Sequence, residues 1–118
     1  MCSVKYSDEQ RLQKIFDYAT KLCNYINQND ITKEKLLSDY TLQWLVTTPL
    51  YNIGEQVYYL SKEYKEQHSD ILWSVISGLR HRLVHDYDGT NWNIIADVVI
   101  DELPTLVKQI NKLIAKNN

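Results

Sequence analysis

From Leu12 to Ile26 the apolar residues Leu12, Ile15, Phe16, Ala19, Leu22, Cys23 and Ile26 fall three or four positions apart. That spacing holds for about four turns and commits the segment to a helix with one buried face. Ser7 with Gln10 three residues on forms a capping-box pair, which sets the start. Asn27-Gln28-Asn29-Asp30 ends it. The same period recurs in Leu42, Leu45, Val46, Leu50, Ile53, Val57, Leu60 and Tyr64, and again in Trp92, Ile95, Ala96, Val99, Leu103, Leu106, Val107, Ile110 and Leu113. A chain of 118 residues with only three Gly and two Pro has little turn chemistry for an all-β fold.

The expected fold is all-α: an up-and-down antiparallel four-helix bundle, one domain over residues 1–118. A short helical piece is expected at Thr32 to Leu37. Ser38 or Asp39 should cap the second long helix, and Ser69 or Asp70 the third. After a break at Gly89, Thr90 should cap the fourth. Lys62 to His68 reads as a polar lead into a loop. Pro49 and Pro104 should bend their helices, because proline lacks the backbone donor and crowds the preceding turn. Gly54 lies beside the second stripe, where a missing side chain lets another helix come close.

The formal charge of −2 argues against a protein that coats nucleic acid non-specifically, though not against a small basic site. Two cysteines, Cys2 and Cys23, make no disulfide framework, so a reduced, cytoplasmic setting is expected. The N-terminal stretch lacks the apolar core of a signal peptide, and no run is long enough to span a membrane.

Chemistry concentrates in Arg80-His81-Arg82-Leu83-Val84-His85-Asp86-Tyr87. On a wheel of 100° per residue, Leu72, Ile76, Leu79 and Leu83 form an apolar ridge widened by Trp73, Val75 and Val84. Arg80 and Tyr87 fall within that apolar sector. His81, Arg82 and His85 fall on the other side with Ser74 and Gly78. An arginine in an apolar sector must snorkel, find a partner, or face a cleft or an interface. Arginine holds phosphate by two donors, histidine moves a proton near neutral pH, and tyrosine positions an oxygen. These types suit cleavage of an RNA phosphodiester without a metal.

Two other readings stand beside that one. His81 and His85 have the spacing at which two imidazoles share a metal, but Arg82 occupies the position of the glutamate in an HExxH motif, and its charge opposes a cation. His81, Arg82 and His85 also suit a plain solvated face. On residue types alone, a non-enzymatic nucleotide- or partner-binding module is as good a fit as an enzyme.

Arg80, His85 and Tyr87, spaced Arg-x4-His-x-Tyr, resemble the signature of the HEPN superfamily. Ile53-Gly54-Glu55, the run Trp73 to Arg80, and Glu102-Leu103-Pro104-Thr105-Leu106 resemble further family anchors, in the same order along the chain. The resemblance is closest to the HepT-like toxins. It implies a helical homodimer with two motif copies lining one cleft, and a metal-independent ribonuclease needing no cofactor. It implies Arg80 and His85 as catalytic residues, with Tyr87 as a site residue. It also implies a minimal nucleotidyltransferase antitoxin of the MntA type that attaches AMP to Tyr87. One departure is His81, where asparagine is common in the family; His81 and Arg82 are expected as supporting residues. A dimer also fits an apolar patch of Trp73, Val84 and Tyr87 around Arg80, extended by Tyr51, Tyr58 and Tyr59.

Overall fold

A computed structural model describes residues 6–85 and 91–116, and every regular element among them is helical. In chain order these are α1 (Asp8–Gln28), α2 (Lys33–Ser38), α3 (Tyr40–Tyr59), α4 (Lys62–Gln67), α5 (Trp73–His85), α6 (Trp92–Asp97), a π-helical segment (Val98–Glu102) and α7 (Leu103–Lys116). Helix α3 packs on both α1 and α5, and α1 packs on α7. Cys2, Asp86, Tyr87, Gly89 and Thr90 lie outside the described residues.

Helix α1 begins as its sequence dictates. Ser7 Oγ accepts from the Gln10 backbone N–H at 3.1 Å, and Gln10 Oε1 accepts from the Ser7 N–H at 2.8 Å. Its periodic residues Leu12, Ile15, Ala19, Leu22 and Ile26 are buried. Cys23 packs half-buried against the core, and that burial raises its thiol pKa. Asp39, not Ser38, caps α3: its Oδ1 accepts from the Thr41 N–H at 2.9 Å. The Thr41 hydroxyl bond is the main reason the Asp39 carboxyl titrates below its ordinary range. The α1 start and the α3 end lie together. Asp8 accepts from both the backbone N–H and the hydroxyl of Ser61, at 2.9 and 2.7 Å, and Arg11 Nη1 donates to Gln56 Oε1 at 2.8 Å. Helices α1 and α3 therefore run antiparallel.

Five expectations need correction. Asn91, not Thr90, caps the helix after Gly89, with its Oδ1 accepting from the Asn93 N–H at 3.0 Å. Lys62 to Gln67 is a helix, not a lead into a loop, because Ser61 Oγ caps it by accepting from the Tyr64 N–H. Neither Ser69 nor Asp70 caps α5. The chain makes a turn there, with the Ile71 N–H on His68 O, and the helix starts at Trp73. The Trp73 indole N–H donates to His68 O at 3.0 Å and fastens that turn. Leu72 consequently precedes the helix and is 56% exposed, not part of the packed ridge. Val75 is exposed too, since it sits about 100° from Ile76, beyond the edge of the buried arc.

The two prolines act differently. Helix α3 runs through Pro49 without interruption. Ahead of Pro104 the backbone widens into the π segment Val98–Glu102. A π turn eases the clash between a proline ring and the turn before it, and it is a common seat for a change of direction. Lys33 anchors this region from α2, with Nζ at 3.0 Å from Asp97 and 2.7 Å from Asp101. The hydrogen bonds to those two carboxylates, Asp101 first, raise the lysine pKa.

Candidate active site

The site is built where α3 crosses α5. Gly54 on α3 is buried there. A Cβ on Gly54 would sit 3.1 Å from Arg80 N, 3.1 Å from Ile76 O and 3.3 Å from Arg80 Cβ. Two of those neighbours are backbone atoms, so making room means shifting the helix itself by a few tenths of an ångström rather than turning a side chain. The close approach expected of Gly54 is thus made, and the helix it admits is the one carrying Arg80. On α5 the buried arc of Trp73, Ile76, Leu79 and Leu83 faces inward, and Arg80 lies at its edge.

Arg80 neither snorkels freely nor stays unpaired. Its Nε–H donates to Glu55 Oε1 in a short, charge-assisted bond. The side chains of the pair are 32% and 29% exposed, a partly dry position rather than a free surface. The guanidinium also lies over the Tyr58 ring, 4.2 Å from Cζ to the ring centre, with the Tyr59 ring at 6.0 Å. The hydrogen bond that Arg80 donates to Glu55 is the main cause that raises the Arg80 pKa further above its already high value. The group is a permanent cation, oriented by a carboxylate at one edge and an aromatic ring beneath. Pairing through Nε leaves the Nη1/Nη2 edge, the fork that chelates a phosphate, uncommitted by Glu55.

Glu55 and Tyr58 were not expected in this role from residue types alone. The signal was available: Gly54 was expected to admit a neighbouring helix, and Glu55 and Tyr58 lie about 100° and 40° from it on the α3 wheel. Whatever packs on Gly54 must meet both.

The other residues of the motif divide. His81 and Arg82 are exposed on the outer side of α5, away from the Gly54 contact. His85 is the last residue of α5 by its backbone, and Tyr87 lies outside the described residues. The patch expected for a dimer is altered. Trp73 is buried in its own chain at 7% exposure and adds nothing to an exposed surface. Tyr51 packs partly buried against the core, whereas Tyr58 and Tyr59 are half exposed. Among the described residues no cluster of three or more His, Cys, Asp or Glu side chains is placed to hold a metal, and no helix is long and apolar enough to cross a membrane.

Comparison with known proteins decides the family. The family model described as Ribonuclease HepT-like matches residues 9–113. The chain belongs to this family. Within it, a provisionally named RNase of Caldanaerobacter subterraneus subsp. tengcongensis is 37% identical over 86 residues, covering 73% of this chain and 77% of the relative. A provisionally named RNase of Methanocaldococcus jannaschii is 35% identical over 86 residues, covering 73% and 71%. A protein of Thermococcus cleftensis provisionally named ribonuclease HepT is 29% identical over 84 residues, covering 71% and 76%. No solved structure gives a significant match. Membership in the HepT-like family accords with an all-helical fold and gives the α3–α5 crossing its interest.

Proposed function

We propose that this protein is the toxin of a toxin–antitoxin system, a metal-independent endoribonuclease that acts as a homodimer in the cytoplasm. The observation that carries the reading is Arg80, held at the packed edge of α5 by Glu55 and Tyr58 in a HepT-like ribonuclease chain. A cation fixed in this way is prepared for phosphate before substrate arrives, which is how electrostatic stabilisation of a transition state is achieved at low cost.

In the proposed reaction His85 takes the proton from an RNA 2′-hydroxyl, whose oxygen attacks the adjacent phosphorus. The bond to the 5′-oxygen breaks, that oxygen takes up a proton, and a cyclic phosphate remains. Arg80 balances the charge that builds on the phosphoryl oxygens. Tyr87 positions one of those oxygens, and His81 and Arg82 support the site from the outer side of the helix. A minimal nucleotidyltransferase of the MntA type silences the toxin by transferring AMP from ATP to the Tyr87 hydroxyl, which loses its proton as pyrophosphate leaves. The added phosphate would pair with Arg80 and repel the RNA backbone.

The test is RNA cleavage by purified protein in the presence of a chelator, alongside growth inhibition on expression. His85→Ala is expected to abolish both while the helical circular dichroism spectrum is unchanged. Full toxicity in that variant rules the mechanism out. Coexpression with an MntA-type nucleotidyltransferase should add whole AMP masses that map to Tyr87; modification elsewhere rejects the proposed control. Protein that never cuts RNA yet binds a nucleotide or a nucleotidyltransferase tightly would instead be a binding module.

A further inference from the structure

Arg80 is one end of a continuous run of cations interleaved with tyrosines. Its guanidinium lies 4.2 Å from the Tyr58 ring centre. Tyr58 meets Tyr59 edge-on with centroids 5.0 Å apart. Arg11 of α1 lies 5.3 Å from the Tyr59 ring and 5.5 Å from the Tyr6 ring, and Lys14 Nζ lies 4.5 Å from the Tyr6 ring. The run crosses from α5 over the end of α3 to the start of α1. It continues into a shallow groove in which Lys14, Tyr18 and Lys21 share a wall. Arg11, Lys14, Tyr18 and Lys21 follow at intervals of three, four and three, so they occupy one face of α1.

The exposure of these rings is functional information. Tyr6, Tyr18, Tyr58 and Tyr59 are between 36% and 52% exposed, so each ring keeps open surface beyond its cation contact. The acidic groups along the run are Glu55, committed to Arg80, Asp8, which accepts from Ser61, and Asp17, which accepts from the Gln13 amide at 2.9 Å. In a chain of net charge −2, cations gathered on one face and interleaved with tyrosines are a local exception to the overall charge. That interleaving matches the chemistry of single-stranded nucleic acid, in which phosphates and π-faces alternate along one chain. Duplex RNA would offer the phosphates but keep its bases stacked inside.

The geometry points to this face as the track for single-stranded RNA leading into the site at Arg80. Arg11, Lys14 and Lys21 bind the backbone, while bases stack on the exposed tyrosines. The inference rests on the ribonuclease reading and adds the substrate class to it. The Arg80-to-Lys14 contacts remain a structural feature whichever way the test falls.

The experiment measures binding of a fluorescent 12-nucleotide single-stranded RNA as a function of salt, and cleavage of a dinucleotide too short to leave Arg80. The variants are Lys14→Gln/Lys21→Gln, which leaves the α1–α3 contacts intact, and Arg11→Gln. The double variant should weaken binding of the 12-mer and lower its log–log salt slope by roughly 1.4, at ~0.7 for each lost phosphate contact. Dinucleotide cleavage should be unchanged. An unaltered salt slope, or equal binding of duplex and single strand, overturns the track. So does a shift of the variant to a smaller species in sedimentation, which would make the face an interface between copies. If wild-type protein cuts no RNA while 12-mer binding still depends on Lys14 and Lys21, the track stands and the nuclease reading falls.

Discussion

The two glycines of the α3–α5 region sit in opposite situations. Gly54 is pressed against the backbone of Ile76 and Arg80, where one more carbon would sit 3.1 Å from both and make them give by a few tenths of an ångström. Gly78, on the outer side of α5, has nothing within 4 Å of where a Cβ would stand. Between them lies one turn of helix with Arg80 on the tight side and His81 and Arg82 on the open side. The described start of the motif, Arg80 to Arg82, therefore meets two environments. One fixes an arginine between a carboxylate and an aromatic ring, while the other holds His81 and Arg82 on an exposed face of the helix. Residue type alone does not separate Arg80 from Arg82; packing does.

Filling the tight side should have the largest effect. Gly54→Leu must push α3 and α5 apart, at a cost of ~1–3 kcal/mol or more for overpacking. Denaturant unfolding should show a lower midpoint, and RNA cleavage should fall with it because Glu55 and Arg80 move on different helices. A wild-type midpoint with wild-type activity would mean that the crossing is not tight.

Removing the carboxylate tests the orientation of Arg80 without changing volume. Glu55→Gln should lower kcat by roughly 10-fold to 100-fold, the scale of a misplaced catalytic group, with KM little moved. A rise in KM alone would instead assign Glu55 to substrate binding.

The open side should respond in the opposite direction. Gly78→Ala removes a helix-interior glycine with nothing to clash against, and should stabilise the protein by ~0.5–1 kcal/mol. Thermal unfolding should shift upward and cleavage should stay at the wild-type rate. A lower melting temperature would show that the outer face is covered.

The smallest effect belongs to a control remote from both faces. Asp39 caps α3 with its carboxyl pKa held below the ordinary value, chiefly by the Thr41 hydroxyl. A depressed carboxylate contributes stability above its unfolded pKa and loses it as pH falls through the lower folded value. Asp39→Asn should therefore flatten the acid limb of the stability–pH curve slightly, with no change at neutral pH in the Glu55–Arg80 contact or in activity.

Much of the fold was legible because helices announce themselves by period and cap. Ser7 with Gln10, the α1 stripe and the close approach at Gly54 all follow from side-chain chemistry within one or two turns. The errors arose where tertiary contacts decided the outcome. The start of α5 was set by Trp73 reaching back to His68 O, which no local pattern at Ser69 or Asp70 contains. Trp73 is buried in its own chain because of that turn, so it leaves the patch assigned to a partner. Arg80 stood out by its place on the wheel, yet its partner lies 25 residues earlier on another helix. Apart from the resemblance of Ile53-Gly54-Glu55 to a family anchor, the signal for Glu55 was the combination of Gly54 with its neighbours on α3.

The central claim is that the arginine on the tight side of α5 does the work and the one on the open side supports it. Single-turnover cleavage of a single-stranded RNA by wild type, Arg80→Ala and Arg82→Ala, all shown to be folded, tests this directly. Loss of one preorganised charge-stabilising group costs about 10²–10³ in rate, and Arg80→Ala should lose that much while Arg82→Ala stays within roughly tenfold of wild type. Equal losses in the two variants, or a larger loss at Arg82, would contradict the account.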